Sequence, residues 1–422
     1  MQGANVDAAD VLEHFREHAH PPPYRDLELR AVTVQDFEGL LPHIAAWNDL
    51  AVRVPQAVAG ALPAWVSAFM CHRLRPGDRW LCTFAYRGDR LVGVLPLVWR
   101  SNGIFSQSLP VLETPFDQHT PSGDILLEPD IGAAALDTLL MDVDRCIPNH
   151  IGIDFKAIRR SSALWRAAGK NSSGYLVRTG LSTMYSYLDA RGSFDGYMAE
   201  LGSIRKNVRR YRRKLDQRGT ASFEVRRGDI GNDGLLAEYM ALEAAGWKGR
   251  SGSAMVHDQK TVEFYSELIG GLSRHNQWEW HTIRVDGRLV AAQMGVVCGR
   301  TLILPKYTFD EDFAECRLGS LLTEEVYRDA FSRPGIDEIN HMSLSGPDQH
   351  WRMSQDEYAD LHLVRREALP ILIRTPGIVA KAVYQDVIRP RIPAALKELY
   401  RSFRRRGDRK PRRAAANLQG QS

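Results

Sequence analysis

The sequence predicts a mixed α/β protein that consists of two related halves in tandem. The chain has 422 residues, which is too many for one compact domain of roughly 100–200 residues. Apolar residues repeat with a period of two in some stretches and of about 3.6 in others, which indicates strands interleaved with helices. One strand–turn–strand pattern occurs twice, at residues 80–93 and 278–291. Such a recurrence indicates two units of the same design.

Composition narrows the class of protein. With 44% apolar residues, 25% charged residues and a net charge of +4, the chain has the make-up of a globular protein and too little charge to indicate a nucleic-acid partner. The five cysteines are scattered without a C-x-x-C pair, which argues against a disulfide framework or a zinc site. The first residues lack a signal-peptide pattern, and the longest apolar run, Leu91–Trp99, is too short to cross a bilayer. We therefore expect a cytoplasmic protein without a metal.

The first half is predicted to span residues 24–179, after a flexible leader at 1–23 that ends in three prolines. Its predicted strands lie at 24–34, 80–86, 91–100 and 151–158, and its predicted helices at 36–50, 63–72 and 133–146. Residues 109–123 are rich in Pro, Thr and Ser and are predicted to form a loop.

The repeated pattern has a constant offset of 198 residues. The matched residues are Trp80, Arg90, Leu91 and Val92 in the first copy, and Trp278, Arg288, Leu289 and Val290 in the second. A helix precedes each copy and another follows after a loop. We interpret the match as two related halves, the alternative being chance similarity of a common hairpin pattern.

The second half is predicted to span residues 180–366. Its predicted strands lie at 181–188, 223–226, 278–285, 289–297, 301–308, 338–344 and 358–364, and its helices at 193–200, 204–218, 235–245, 261–274 and from about Ser320 to Phe331. Arg317 and Gly319 lie in the predicted loop 309–320, directly before the last of these helices. The free N–H groups and the dipole of a helix N-terminus suit a phosphate.

The helix at 204–218 is strongly basic. Ile204, Val208, Tyr211 and Leu215 form a narrow apolar stripe, and Arg and Lys fill most other positions. One interpretation is a docked helix with a solvated face. The other is a positive surface for a phosphorylated cofactor, a nucleotide-linked substrate or RNA, of which RNA is least favoured because no RNA-binding aromatic motif accompanies the helix.

Residues 247–254 follow the helix 235–245 and read Trp-Lys-Gly-Arg-Ser-Gly-Ser-Ala. Glycine lets a backbone approach a ligand closely, and an exposed Trp beside basic residues suits a binding loop. The alternative is an ordinary surface loop after a capped helix.

The C-terminal part is predicted to contain a turn at 345–348, a proline-punctuated helical region at 367–400 and a basic disordered tail at 401–422. The tail is suited to contact an anionic membrane surface or to keep the protein in solution.

These motifs resemble the CelD/BcsL family of the GNAT superfamily, acetyltransferases associated with cellulose and exopolysaccharide synthesis. The similar segments are Glu243 with Trp247-Lys248-Gly249 and Gly252-Ser-Ala254, the basic stretch Arg205–Arg210, the strand Asp286–Ala292, and Lys306-Tyr307-Thr-Phe-Asp310. The resemblance implies two GNAT-like domains, each a mixed, mostly antiparallel sheet flanked by helices, arranged as in the Fem proteins. It also implies acetyl-CoA as the acyl donor and a sugar or cell-envelope precursor as the acceptor.

The resemblance implies roles for individual residues. Coenzyme A would bind along Lys306 and Tyr307 and at Arg317, Leu318, Gly319, Ser320 and Leu321. Glu243 would be the general base and Tyr307 the general acid. The acceptor would contact Arg205, Arg209, Trp247, Lys248, Gly249 and Asn340. Two positions depart from the family pattern: Leu322 replaces a small residue of the phosphate loop, and Asn340 replaces an aspartate.

Two other functions fit the same sequence. One is a Fem-type transferase that uses aminoacyl-tRNA, which the duplicated fold and the basic helix permit. The other is a non-catalytic GNAT-like module of a polysaccharide-synthesis complex, which Asn340 favours. A Cys316–His341 nucleophile pair is disfavoured, because GNAT chemistry needs no covalent intermediate. The second half is expected to bind the donor, since residues 107–123 offer prolines and acids where a pyrophosphate needs amides.

Overall fold

The computed structural model describes residues 28–55, 58–100, 109–169, 174–228, 234–342, 351–384 and 391. The predicted leader 1–23, the turn 345–348, the tail 401–422 and most of 385–400 lie outside these residues. The helix that follows the last strand ends within the described part of the predicted helical region 367–400.

Thirteen strands are present in the described residues: β1 Leu29–Val34, β2 Arg79–Arg87, β3 Arg90–Trp99, β4 Val111–Glu113, β5 Leu126–Leu127, β6 Gly152–Arg159, β7 Tyr175–Asp189, β8 Ala221–Arg227, β9 Trp278–Val285, β10 Arg288–Cys298, β11 Thr301–Phe309, β12 Glu338–Asn340 and β13 Ser354–Arg365.

The α-helices of the same residues are α1 Phe37–Leu40, α2 Ile44–Arg53, α3 Pro63–His72, α4 Gly132–Cys146, α5 Ala163–Ala168, α6 Phe194–Glu200, α7 Gly202–Asp216, α8 Leu235–Ala245, α9 Trp247–Arg250, α10 Gln259–Ser273, α11 Leu318–Phe331 and α12 Ala368–Val383. Short 3-10 helices lie at Leu41–His43, Ala59–Ala61, Pro129–Ile131, Met255–His257 and Glu311–Cys316.

All thirteen strands belong to one continuous mixed sheet with the order β1-β2-β3-β4-β6-β13-β7-β12-β11-β10-β9-β8, and β5 pairs with β3. From each outer edge inwards the pairing is the same. Three antiparallel pairs, β1-β2-β3-β4 in the first half and β8-β9-β10-β11 in the second, are followed by one parallel pair, β4-β6 or β11-β12. The predicted mixed α/β fold with flanking helices is confirmed, and the two copies of the repeated sequence form the equivalent hairpins β2-β3 and β9-β10.

The halves exchange their last strands. Strand β7 follows β6 in the chain but pairs with β12, and β13 follows β12 but pairs with β6. The long pairing of β7 with β13, from Tyr175↔Arg365 to Tyr187↔Ser354, joins the halves at the centre of the sheet. Strand β7 also runs across the predicted domain boundary between residues 179 and 180.

One buried apolar cluster contains residues from both halves. Trp47, Trp65 and Phe84 of the first half belong to the same buried cluster as Trp278 and Trp280 of the second. The rings of Trp65 on α3 and Phe264 on α10 meet edge to face, with centroids 6.3 Å apart. Burial of such large side chains is a strong stabilising contribution, so the halves share one core.

Several predicted boundaries were wrong. Helix α11 begins at Leu318 rather than near Ser320, because Arg317 adopts a left-handed conformation (φ 48°) and serves as its N-cap. A helical turn, α9, replaces the first part of the predicted loop 247–254, and a 3-10 helix lies within the predicted loop 309–320. The predicted loop 109–123 contains strand β4, and β12 ends at Asn340 instead of continuing to residue 344. None of the helices in the described residues is both long enough and apolar enough to cross a membrane.

Candidate active site

A gap in the sheet of the second half lies beside β11. Strand β12 pairs with β11 only at Thr301, Leu302 and Ile303, so the rest of β11 has no strand on that side. Asp310 N–H donates to Val290 of β10 at 2.8 Å. Because bonding direction alternates along a strand, Tyr307 and Phe309 direct their backbone N–H and C=O groups away from β10, toward the gap.

A cavity of about 340 Å³ occupies this region. The rings of Tyr307 and Phe309 form one wall, stacked with centroids 6.1 Å apart. The start of α11 also lines the cavity, with Leu318, Gly319 and Thr323. Gln293, His341 and Trp351 also line the cavity; the sequence-based interpretation did not assign them to the site, since they come from β10 and from residues after β12.

The start of α11 offers fewer backbone donors than predicted. Ser320 and Leu321 donate back to the Arg317 carbonyl at 2.8 and 3.3 Å, and Arg317 itself donates to Ala314 at 3.2 Å. The helix geometry leaves Leu318 and Gly319 N–H without an intrahelical acceptor. Of the five predicted cofactor residues at 317–321, these two therefore have backbone donors suited to an anion, and the Arg317 guanidinium lies beside them on the cavity wall.

A second cavity, of about 380 Å³, shares Tyr307 and Phe309 with the first. The predicted residues Glu243, Trp247, Lys248, Lys306 and Tyr307 all line it. Trp247 and Tyr307 are 57% and 49% exposed, which leaves both residues accessible to a ligand. The structure thus brings the predicted catalytic pair and most of the predicted acceptor loop to one place. Gly249 packs on α8 instead: a Cβ there would lie 1.7 Å from the Ala244 carbonyl oxygen.

Glu243 is buried and doubly bound. Its carboxylate accepts from Lys248 Nζ at 2.7 Å and from Met255 N–H at 2.7 Å. Burial acts to raise the pKa of Glu243, but these two donors outweigh it and hold the pKa below its ordinary value. The carboxylate is therefore ionised at neutral pH and fixes residues 247–255 against α8.

Lys306 also lines this cavity, and its Nζ is 5.7 Å from the centroid of the Tyr265 ring. Burial lowers the pKa of this amine, opposed by the nearby Glu243 carboxylate. A partly desolvated ammonium beside an aromatic face is suited to contact an anionic or carbonyl group of a ligand.

The basic helix presents an uncharged side to the site. Ser203, Ile204, Asn207, Val208 and Tyr211 of α7 line a third cavity of about 360 Å³, together with Arg317, Ser320 and Trp351. The predicted ligands Arg205 and Arg209 lie on the exposed face of α7 and do not line it. Arg212 binds Glu324 and Glu325 of α11 instead, which docks the two helices.

Asn340 lies in a closed hydrogen-bond network. It donates to Glu338 at 3.1 Å and to the Tyr358 hydroxyl at 3.2 Å, and it accepts from Met342 N–H at 2.9 Å. The residue is 4% exposed and is not among the residues that line the cavities described above. Its hydrogen bonds hold the turn at Met342, where φ is 46°.

Two groups of side chains in the described residues have the spacing of metal ligands: Cys71, His72 and Glu267, and Glu279, His281 and Asp329. In the second group, Arg227 and Arg333 both bind Glu279 and Asp329, so two guanidinium groups already balance the carboxylates. Neither group lines the cavities beside Tyr307.

The comparisons agree with this geometry at the level of the fold. Residues 202–353 match the family model described as an acetyltransferase (GNAT) domain, so most of the second half is similar to a GNAT domain. The crystal structure of FemX is similar over 81% of this chain and 99% of its own, with 12% identity and a TM-score of 0.55. The chain therefore has an overall fold similar to that of FemX.

Other solved structures align less closely. The C-terminal domain of a putative lysylphosphatidylglycerol synthetase from Agrobacterium fabrum has 11% identity and a TM-score of 0.47, and the alignment covers 82% of this chain and 96% of that one. A tandem GNAT protein from the clavulanic acid biosynthesis pathway has 14% identity and a TM-score of 0.37, over 79% and 98% of the two chains. No curated protein sequence matches the chain significantly.

Proposed function

We propose that this protein transfers an acetyl group from acetyl-CoA to an amine or hydroxyl acceptor. The observation that carries the proposal is the cavity that joins the open side of β11 to the start of α11, within residues 202–353, which match the GNAT domain model. One end of this cavity offers backbone amides and a guanidinium for a pyrophosphate. The other end offers strand amides for a thioester.

The donor would lie across the cavity from α11 to β11. Its pyrophosphate would accept from the N–H groups of Leu318 and Gly319, with Arg317 adding positive charge. Its pantetheine arm would follow the open side of β11, where Tyr307 N–H faces the gap. This N–H group could donate a hydrogen bond to the thioester oxygen and stabilise the negative charge that develops on it during acyl transfer. Such stabilisation is commonly the largest catalytic contribution.

The acceptor would enter from the second cavity and attack the thioester carbon directly. A bond from the acceptor nitrogen or oxygen to the acyl carbon forms, the C–S bond breaks, and the thiolate takes a proton. The Tyr307 hydroxyl is suited to supply that proton because its ring lines both cavities. Glu243 would accept the acceptor's proton once its bond to Lys248 loosens.

Trp247 and Lys248 on the wall of the second cavity support an acceptor with a sugar ring and an anionic group. Aromatic faces stack on sugar rings, and an ammonium pairs with phosphate or carboxylate. A precursor of an exopolysaccharide or of the cell envelope has this chemistry, as the resemblance to the CelD/BcsL family implies.

The FemX-like architecture favours a second candidate, in which the donor is an aminoacyl-tRNA. The exposed arginines of α7, Arg205 and Arg209, would then bind RNA phosphates next to the third cavity. This function needs no coenzyme A site, so donor binding distinguishes the two candidates.

Calorimetric titration with acetyl-CoA tests the proposal. A Cβ at Gly319 would meet only ordinary contacts, at 3.9 Å from the Tyr307 and Phe309 rings, so Gly319→Glu should fold and place a carboxylate in the cavity. We expect wild-type protein to bind with a micromolar Kd and Gly319→Glu to lose binding. Gly335→Glu is the matched control, since Gly335 has open space around it. If wild type does not bind at millimolar acetyl-CoA, the acetyltransferase proposal is wrong.

A further inference from the structure

Helix α12 packs against the sheet with one narrow face. Pro370, Arg374, Thr375 and Ile378 are the buried or half-buried positions of the helix. Arg374 forms an ion pair with Asp154 of β6, and Asp154 also accepts from His362 of β13 at 2.7 Å. The helix is thereby fixed to the centre of the sheet, where the strands of the two halves meet.

The outer side of α12 is almost entirely apolar. Leu372 is 73% exposed, and six other large apolar residues of the helix and its end are exposed by 36–51%: Leu369, Ile371, Ile373, Val379, Val383 and Tyr384. Among the described residues of this side, Lys381 is the single charged side chain. A helix that is apolar on nearly all sides is normally covered. The described residues leave this face open to solvent.

The charge of the C-terminal region indicates what covers it. Residues 365–422 contain 15 Lys and Arg against 4 Asp and Glu, a net charge of +11, whereas the whole chain has +4. Residues 1–364 are therefore net negative, and the positive charge is concentrated in the part of the sequence that contains α12 and the residues after it. An apolar face flanked by Lys and Arg complements an anionic lipid surface, since the apolar side chains enter the acyl boundary and the cations pair with headgroups.

The length of α12 and its attachment to the sheet suit a helix that lies parallel to a membrane surface rather than across it. Its 16 residues extend over about 24 Å, less than the hydrocarbon thickness of a bilayer, about 30 Å. The ion pair of Arg374 with Asp154 holds its inner side on the sheet. Its outer side can enter a membrane surface while the rest of the protein stays outside.

We propose that the exposed face of α12 docks the protein on an anionic lipid surface. Such docking combines two contributions, one apolar and one electrostatic, and either alone gives weak attachment. It does not depend on the proposed acyl transfer, and it would bring the chain to the place where envelope precursors are held.

Co-sedimentation of the full chain with vesicles tests this proposal. We expect binding to vesicles of equal parts phosphatidylglycerol and phosphatidylcholine, at least tenfold weaker binding to pure phosphatidylcholine, and loss of binding as salt rises. Leu372→Glu/Ile373→Glu should weaken binding to the anionic vesicles at least tenfold. Met141→Glu is the matched control, because Met141 is a 64% exposed apolar residue on the helix α4, and it should bind as wild type does.

A second variant separates the electrostatic contribution. Arg404→Gln/Arg405→Gln/Arg406→Gln removes three cations without touching α12, and we expect at least threefold weaker binding to the anionic vesicles. Circular dichroism would verify that every variant is folded. The proposal is overturned if folded wild type does not bind anionic vesicles, or if the α12 variant binds as tightly as Met141→Glu. It is also overturned if sedimentation equilibrium shows a dimer that Leu372→Glu/Ile373→Glu dissociates and that does not bind vesicles.

Discussion

Lys248 Nζ lies 2.7 Å from Glu243 Oε1 on the wall of the cavity beside Tyr307. The carboxylate is 1% exposed and also accepts a hydrogen bond from Met255 N–H, so this one carboxylate fixes both ends of the segment 247–255. This segment carries the exposed Trp247. The shape of the candidate acceptor cavity therefore depends on the pair, whichever group the cavity binds.

Replacement of Lys248 by Met should destabilise the protein. The buried Glu243 carboxylate would lose its partner, and removing one member of a buried ion pair costs about 3 kcal/mol or more. Urea denaturation would measure the fall in the free energy of unfolding. Lys260→Met, at an exposed position near the start of α10, is the control and should change that free energy little.

Acid should weaken the same pair. The pKa of Glu243 is held below its ordinary value of 4.5. Its contribution to stability is therefore present above pH 4.5 and is lost as pH falls through the lowered pKa. Between pH 6 and 3, the free energy of unfolding of Glu243→Gln should fall less steeply than that of wild type. Parallel curves for the two proteins would show that this carboxylate is not responsible for any acid sensitivity.

Arg317 combines a charge with a left-handed backbone, and two substitutions separate these properties. Arg317→Gly removes the guanidinium while suiting φ 48°, so the free energy of unfolding should stay the same or rise by up to about 1 kcal/mol. Arg317→Ala also removes the charge but keeps the strain. Both should weaken acetyl-CoA binding about tenfold or more, because a charged hydrogen bond contributes about 1.5–3 kcal/mol. Calorimetry would measure the Kd, and unchanged affinity in both variants would place the pyrophosphate elsewhere.

Tyr307→Phe should lower turnover without weakening donor binding. The ring and its stacking on Phe309 remain, whereas the hydroxyl that would protonate the leaving thiolate is lost. We expect kcat to fall about 100-fold, once an acceptor has been found by screening. Tyr384→Phe, at the end of α12, is the control. A variant with normal kcat would assign the Tyr307 hydroxyl to binding or to no role.

The sequence predicted most of the local structure. Periodicity located β9 and α8 at their observed bounds, and the repeat predicted two equivalent hairpins, since these features depend on residues close together in the chain. The strand exchange could not be predicted. The pairing of Leu361 with Phe155 joins residues about 200 positions apart in the chain, and the sequences of β6 and β13 do not distinguish each other from any other apolar strand as pairing partners.

The residues assigned to the candidate site from the sequence are partly close together in the structure. Glu243, Lys248 and Tyr307 line one cavity, and the roles assigned to them stay predictions. Tyr211 belongs to the predicted apolar stripe of α7, but neither Tyr211 nor Asn207 was predicted to line a cavity, because the many arginines of the helix indicated a charged contact instead. The left-handed Arg317 shifted the helix start by two residues, and a non-glycine residue gives no signal of such a backbone in a sequence.

The exchanged strands predict how the halves fold. Residues 24–179 expressed alone would lose β13, which lies between β6 and β7 in the sheet. Residues 180–366 alone would lose β6 as the partner of β13, and each half would expose its part of the shared core around Trp65 and Phe264. Open strand edges and apolar surface favour aggregation.

We therefore expect neither half to give a cooperative unfolding transition alone, whereas the full chain should show a single transition, with fluorescence and circular dichroism coinciding. Co-expression of the two halves should restore a soluble complex. Two separate transitions in the full chain would mean that each half is stable without the strand it receives from the other.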